Sequence, residues 1–192
     1  MHSEIFVWGG INNMRISISG AQCTGKSTLI NALKKELPDY EIQRESVRYL
    51  VANYGFEIKA ANTDLQLALL NWQTRSLYEH TDILLDRSFI DSTSYMLYYH
   101  KRRQPEVPFG VYNYIMDTAK ALAQRIDLFI FLKPEFELID DGFRLLDKDQ
   151  QEEITELMED LFEKFNVEHK VLRVTGSLED RVSQTLFYIK NI

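Results

Sequence analysis

The chain has 192 residues and a mass of 22.6 kDa, the length of one domain with room for a small lid. Hydrophobic residues make up 45%, enough for a core, and 22 Lys+Arg against 29 Asp+Glu leave net −7 and a pI near 5.2. That balance disfavours a protein that coats nucleic acid. One cysteine excludes an internal disulfide and a cysteine zinc site, and no apolar run reaches the ~20 residues of a membrane span.

Residues 1–13 precede the first regular element. They lack a basic start and hold only a short apolar stretch, Ile5 to Trp8, broken by Gly9-Gly10. This predicts a flexible leader and no signal peptide, with Met14 a candidate start of its own. A cytoplasmic protein is expected. From Met14 the chain reads as one domain to residue 192. Met14 to Ser19 alternates at period two, as a strand does. Thr28 to Leu37 is helical, with Leu29, Leu33 and Leu37 on one face and Pro38 as its stop. Tyr40 to Arg44 reads as a second strand, and a helix follows from about Ser46. Asn62 to His80 is a longer helix. Ile83 to Asp86 is an apolar strand ending in a carboxylate. Ser88 to Arg102 and Phe109 to Gln124 are helices parted by the Pro105/Pro108 loop. Asp127 to Leu132 is the most apolar strand. Asp147 to Phe165 is helical with a full apolar stripe, Lys170 to Val174 is a last strand, and Ser177 to Lys190 a last helix.

Five strands alternating with helices, several wholly apolar, predict a parallel sheet covered on both faces, a three-layer α/β domain. In such sheets ligands bind at the carboxyl ends of the strands. The residues just after each strand therefore carry the chemistry.

After the first strand, Gly20-Ala21-Gln22-Cys23-Thr24-Gly25-Lys26-Ser27-Thr28 fits G-x-x-x-x-G-K-[ST] without a gap, between a strand and an amphipathic helix. Its glycines let successive N–H groups turn toward phosphate oxygens, and the helix start adds its positive end. Lys26 is expected to reach the β- and γ-phosphates of ATP, and Ser27 to give a hydroxyl to Mg²⁺. A glycine loop by chance would need neither this spacing nor these flanks. Cys23 reads as a small filler within the loop.

After the third strand, Asp86 is the expected second ligand of Mg²⁺, and Arg87 is expected to grip the acceptor or a transferring phosphate. The competing reading makes Asp86 a helix cap. Asp-Glu at this place, typical of AAA+ motors, is absent, as are the G-protein signatures Asn-Lys-x-Asp and Asp-x-x-Gly. After the second strand, Glu45 can take a proton from a substrate hydroxyl, with Arg48 one turn on; equally, Glu45 can be a helix-start glutamate and Arg48 a surface charge. Arg44 is a weaker candidate. After the fourth strand, Asp140-Asp141-Gly142-Phe143-Arg144 reads as a lid, about 134–150, whose Arg144 neutralises charge over the phosphates, or as an ordinary turn. Lys101-Arg102-Arg103 is the one basic cluster, a solvated helix end or an anion contact.

These stretches together resemble a known family. Gly20–Thr28, Gln43-Arg44-Glu45-Ser46-Val47-Arg48, Leu85-Asp86-Arg87 and Asp140–Arg144 resemble the AAA-type, kinase-like P-loop family related to the ribosylnicotinamide kinase domain of bacterial NAD regulators. The resemblance runs from Met14 to about Val182. Asp86-Arg87-Ser88 is also similar to the signature of deoxynucleoside kinases, which use a carboxylate after strand two as base. The resemblance implies sheet order 2-3-1-4-5, ATP, Mg²⁺ and an acceptor that is a nucleoside, nucleotide or related alcohol. No adenylyltransferase or DNA-binding domain accompanies the kinase-like unit in these residues. Two other readings stay open: a kinase acting on hydroxymethylated bases in DNA or other nucleic acid, and a nucleotide-binding regulatory ATPase without kinase activity.

The charge is not spread evenly. Residues 135–163 hold twelve acids and two bases, and the rest of the chain holds 20 basic against 17 acidic residues, net +3. The acidity is expected to form the solvated face of one helix, leaving the remaining surface open to an anionic substrate.

Overall fold

A computed structural model describes residues 13–44, 46–56, 63–102, 107–136 and 147–192. In chain order the elements are β1 (Arg15–Ser19), α1 (Lys26–Glu36), β2 (Glu41–Gln43), α2 (Ser46–Tyr54), α3 (Thr63–Glu79), β3 (Ile83–Asp86), α4 (Phe89–Lys101), α5 (Phe109–Ala123), β4 (Leu128–Phe131), α6 (Lys148–Lys164), a single 3₁₀ turn (Glu168–Lys170), β5 (Val171–Arg173) and α7 (Leu178–Lys190). The strands are parallel and lie in the order β2-β3-β1-β4-β5. This is the order the resemblance implies.

Side-chain alternation builds the two covers. Ile16, Ile18, Leu84 and Ile130 point to one face, where α1 and α7 pack on them through Leu29, Leu33 and Ile189. Ile83, Leu85, Phe129 and Phe131 point to the other, under α3 to α6. There Phe162 of α6 meets Phe129 and Phe131 edge-on, with ring centroids 5.4 and 5.2 Å away. All four residues of β3 and of β4 are buried. With both faces covered, a strand gains nothing from polar alternation, so these read as continuous apolar runs. A smaller cluster of Leu50, Leu65 and Leu69 joins α2 to α3.

Several element ends fall one or two residues from their expected places. Ser88, Asp147 and Ser177 are N-caps and not helical residues: each side chain accepts a backbone N–H of the first turn. Helix α1 begins at Lys26, before Thr28, because Gly25 at φ 88° turns the chain sharply into it. Of the expected lid, residues 137–146 lie outside the described residues, and Lys148–Gln150 open α6. Residues 1–12 of the leader also lie outside them. Among the described residues no helix is long and apolar enough to cross a membrane.

The register brings the functional strand ends together. Ile18 of β1 pairs with Asp86 of β3, and Ser19 with Phe131 of β4. The turn that leaves β1 at Gly20 therefore starts beside the carboxylate that ends β3.

Candidate active site

The turn from Gly20 to Gly25 closes on itself. Gly20 stands at φ 153°, and a Cβ there would lie 2.5 Å from the carbonyl oxygen of Leu132. Only glycine fits that approach. Cys23, half-buried, takes the left-handed conformation at φ 57°. The Lys26 side chain, 6% exposed, curls into the loop. Its Nζ donates to the Ala21 carbonyl and to Thr24 Oγ1 at 3.2 Å, and Thr24 Oγ1 donates to the same carbonyl at 3.1 Å. A cation thus sits at the mouth of a backbone curl at the N-terminus of α1, the arrangement that attracts phosphate.

Ser27 lies one residue on, in the first turn of α1. Its Oγ donates to Asp86 Oδ2 at 3.1 Å. Asp86 is buried at the end of β3, and the N-cap of α4 is Ser88, closed by Asp91 in a capping box. The helix-cap reading of Asp86 is therefore set aside. The hydroxyl and carboxylate expected to share a cation stand side by side.

Arg87 takes the left-handed conformation at φ 81°, and its N–H donates to the Ile18 carbonyl at 3.2 Å. Its guanidinium reaches back under the phosphate loop. There Nη1 donates to the Gly20 carbonyl at 3.2 Å and to Asp91 Oδ1 at 3.3 Å. The Tyr95 ring lies 5.6 Å from its Cζ. Asp91 is fully buried and accepts four bonds, from Gly20 N, Ser88 N, Ser88 Oγ and Arg87 Nη1. It ties the entry of the phosphate loop to the strand end that carries Asp86 and Arg87.

The remaining candidates divide. Glu45 and the stretch Asp140–Arg144 lie outside the described residues. Arg48 is exposed on the first turn of α2. Arg44 donates to Asn31 of α1 at 2.9 Å. Thr28 is exposed on the first turn of α1. Lys101 and Arg102 are exposed at the end of α4, and both also pair with Glu153 of α6, at 3.2 and 2.5 Å. That contact fastens the end of α4 to the acidic helix, and it explains part of the local acidity as pairing.

Three residues of the site carry little or no local signal. Asp91 is foreshadowed only by the Ser88-x-x-Asp91 spacing of a capping box. Gln151 of α6 donates to the Gln22 carbonyl at 2.6 Å, across 129 residues of sequence. Arg181 of α7 donates to the Thr24 carbonyl at 2.8 Å, across 157 residues. Such partners are set by topology, and no spacing announces them.

Comparison with known proteins bears on the family and the fold. The sequence profile of an AAA domain matches residues 15–181. No curated protein matches the sequence. Among solved structures, NadR in complex with NAD and AMP-PNP superposes with TM-score 0.72 at 15% identity, covering 93% of this chain and 50% of that one. Deoxyadenosine kinase from M. mycoides gives 0.69 at 19% identity, covering 93% and 99%. Thymidylate kinase from Candida albicans gives 0.64 at 16% identity, covering 94% and 92%. The chain thus spans about half the length of NadR, and the fold is that of the P-loop kinases. With its profile matched from β1 to the first turn of α7, the chain belongs to the AAA-domain family.

Proposed function

We propose that this protein is an ATP-dependent phosphotransferase that moves the γ-phosphoryl group to a hydroxyl of a nucleoside, nucleotide or related small molecule. One observation carries the reading: a phosphate loop enclosing Lys26 stands beside Ser27 Oγ and Asp86 Oδ2, which lie 3.1 Å apart. The kinases that share the fold support the reaction class, and the nucleotides named with them support the acceptor class.

The loop N–H groups and Lys26 bind the phosphates. Ser27 and Asp86 fit Mg²⁺, because they are hard oxygen ligands and that ion takes few protein ligands besides phosphates and water. Among the described residues no group of three or more His, Cys, Asp or Glu could hold a metal by itself. When bound, the ion would neutralise charge on the phosphates. The acceptor oxygen forms a bond to the γ-phosphorus as the bond from that phosphorus to the β,γ-bridging oxygen breaks. ADP leaves, and the hydroxyl proton passes to Glu45. Arg87 and Arg48 are assigned to the acceptor side, and Arg144 offsets charge on the transferring group. Glu45, Arg48 and Arg144 enter this reading from their places in the chain. Catalysis is chiefly positioning and charge neutralisation.

The test is a panel of nucleosides, nucleotides and hydroxymethylated DNA offered with γ-labelled ATP. Label is expected on a small acceptor, and Lys26→Ala should abolish transfer while leaving the folded circular-dichroism spectrum intact. Full transfer by Lys26→Ala would sink the assignment. Label in DNA would move the acceptor to polymer, and tight ATP binding with no acceptor-dependent ADP release would make the protein a regulator.

A further inference from the structure

We infer that Gln151 and Arg181 are positioning residues for the nucleotide phosphates, acting through the backbone of the phosphate loop from outside it. The inference rests on the phosphate-binding reading above and adds the parts that hold the loop in its binding shape. A trans peptide is planar, so the C=O of one residue and the N–H of the next point in opposite directions. Fixing a carbonyl outward therefore aims the following N–H inward. Gln151 Nε2 holds the Gln22 carbonyl at 2.6 Å, which turns the Cys23 N–H the other way. Arg181 Nη1 holds the Thr24 carbonyl at 2.8 Å, which does the same for the Gly25 N–H. Residues 20–25 hold no regular secondary structure, so side chains must supply what a helix ladder supplies elsewhere.

Both donors are built into the core and are not surface contacts. Gln151 is 2% exposed and Arg181 3%. Arg181 uses its whole fork: Nε donates to the Gly176 carbonyl at 3.0 Å and Nη2 to Glu135 Oε2 at 3.0 Å, with Phe136 under the guanidinium at 4.7 Å. Glu135 also accepts the Gly176 N–H at 2.9 Å, so it orients the arginine at the turn before α7. On the other side the Gln22 side chain is itself fixed, accepting from Tyr95 OH at 2.7 Å. Neither helix is needed to form the loop covalently. Each contributes one buried donor to one loop carbonyl.

Calorimetric titration with ATP and with inorganic tripolyphosphate tests this on the full chain. Tripolyphosphate reads the phosphate cradle without a nucleobase. Gln151→Met and Arg181→Met are each expected to weaken both ligands about tenfold, the scale of one lost buried hydrogen bond. Met158→Ala, a core cavity on α6 seven residues beyond Gln151, loses melting temperature but should keep wild-type affinity for both. Wild-type affinity in Gln151→Met would overturn the inference, and so would equal weakening in Met158→Ala. Should Arg181→Met fail to fold, Gln151→Met decides alone. Absence of binding by the unaltered protein is a different result, which removes the phosphate-binding reading itself.

Discussion

At the scale of single residues the site depends on a few backbone positions that tolerate little change. Gly20 is the tightest. Its φ is 153°, and the Leu132 carbonyl oxygen lies 2.5 Å from where a Cβ would stand, which leaves no room for alanine. Gly20→Ala should lower unfolding stability by about 2 kcal/mol, the usual cost of a strained backbone position, in a urea titration. Gly25 differs: its nearest neighbour to an added Cβ is Arg181 Nη1 at 3.4 Å, an ordinary contact, so only its φ of 88° demands glycine. The charged residues make a separate prediction. If Asp86 holds the cation with Ser27, Asp86→Asn keeps the bond from the Ser27 hydroxyl but loses the charge. Phosphoryl transfer should then fall about a hundredfold. Half-saturation by Mg²⁺ should move upward in the same assay. An unchanged Mg²⁺ dependence would remove Asp86 from the cation site.

At the scale of elements, the first turn of α4 does more than begin a helix. Ser88 and Asp91 close a capping box, and the same Asp91 carboxylate receives the Gly20 N–H and the Arg87 guanidinium. Removing it takes the paired carboxylate from the buried Arg87 guanidinium, a loss of about 3 kcal/mol. Asp91→Ala should show this in denaturant midpoint, and should weaken ATP binding as well, because Gly20 opens the phosphate loop. A stability loss with ATP affinity untouched would confine Asp91 to capping. This helix also shows what the chain could announce about itself. The Ser88-x-x-Asp91 spacing predicts a helix start, and the apolar runs Ile83–Leu85 and Leu128–Phe131 predict buried parallel strands, because local chemistry dictates both. The phosphate loop was legible for the same reason: its spacing is contiguous. What spacing cannot carry is contact between distant elements. Gln151 sits on the stripe of an acidic helix and Arg181 on that of the last helix, and each reads locally as an ordinary polar position. Sheet order alone brings them to loop carbonyls.

At the scale of the whole molecule, charge is distributed to hold the layers together. The acids of α6 spread across the fold: Glu153 takes Lys101 at the end of α4 and its C-cap Arg102, and Glu159 takes Lys133 after β4, at 2.6 Å, and Arg173 of β5. Burial pushes the Glu159 carboxyl up, but hydrogen bonds from Arg173 and Lys133 outweigh it and hold it below its ordinary value of 4.5. Its contribution is present above that value and lost as pH falls through the lower folded one. Glu159→Gln should flatten the acid side of the stability curve below pH ~4.5. The alkaline side has the opposite sign and a different residue. Tyr40, 2% exposed beside β2, is raised from 10.0 to about 12, first by burial and then by Asp82 and Asp127, which disfavour a phenolate. The folded state thus holds its proton where the unfolded chain releases it. Stability from the neutral phenol is complete below pH 10.0 and declines as pH rises toward about 12. Tyr40→Phe cannot titrate, so its urea midpoint should change less than the wild type's between about pH 9.5 and 11.5. A parallel fall in both proteins would show that Tyr40 is not the group that sets the alkaline side of the curve.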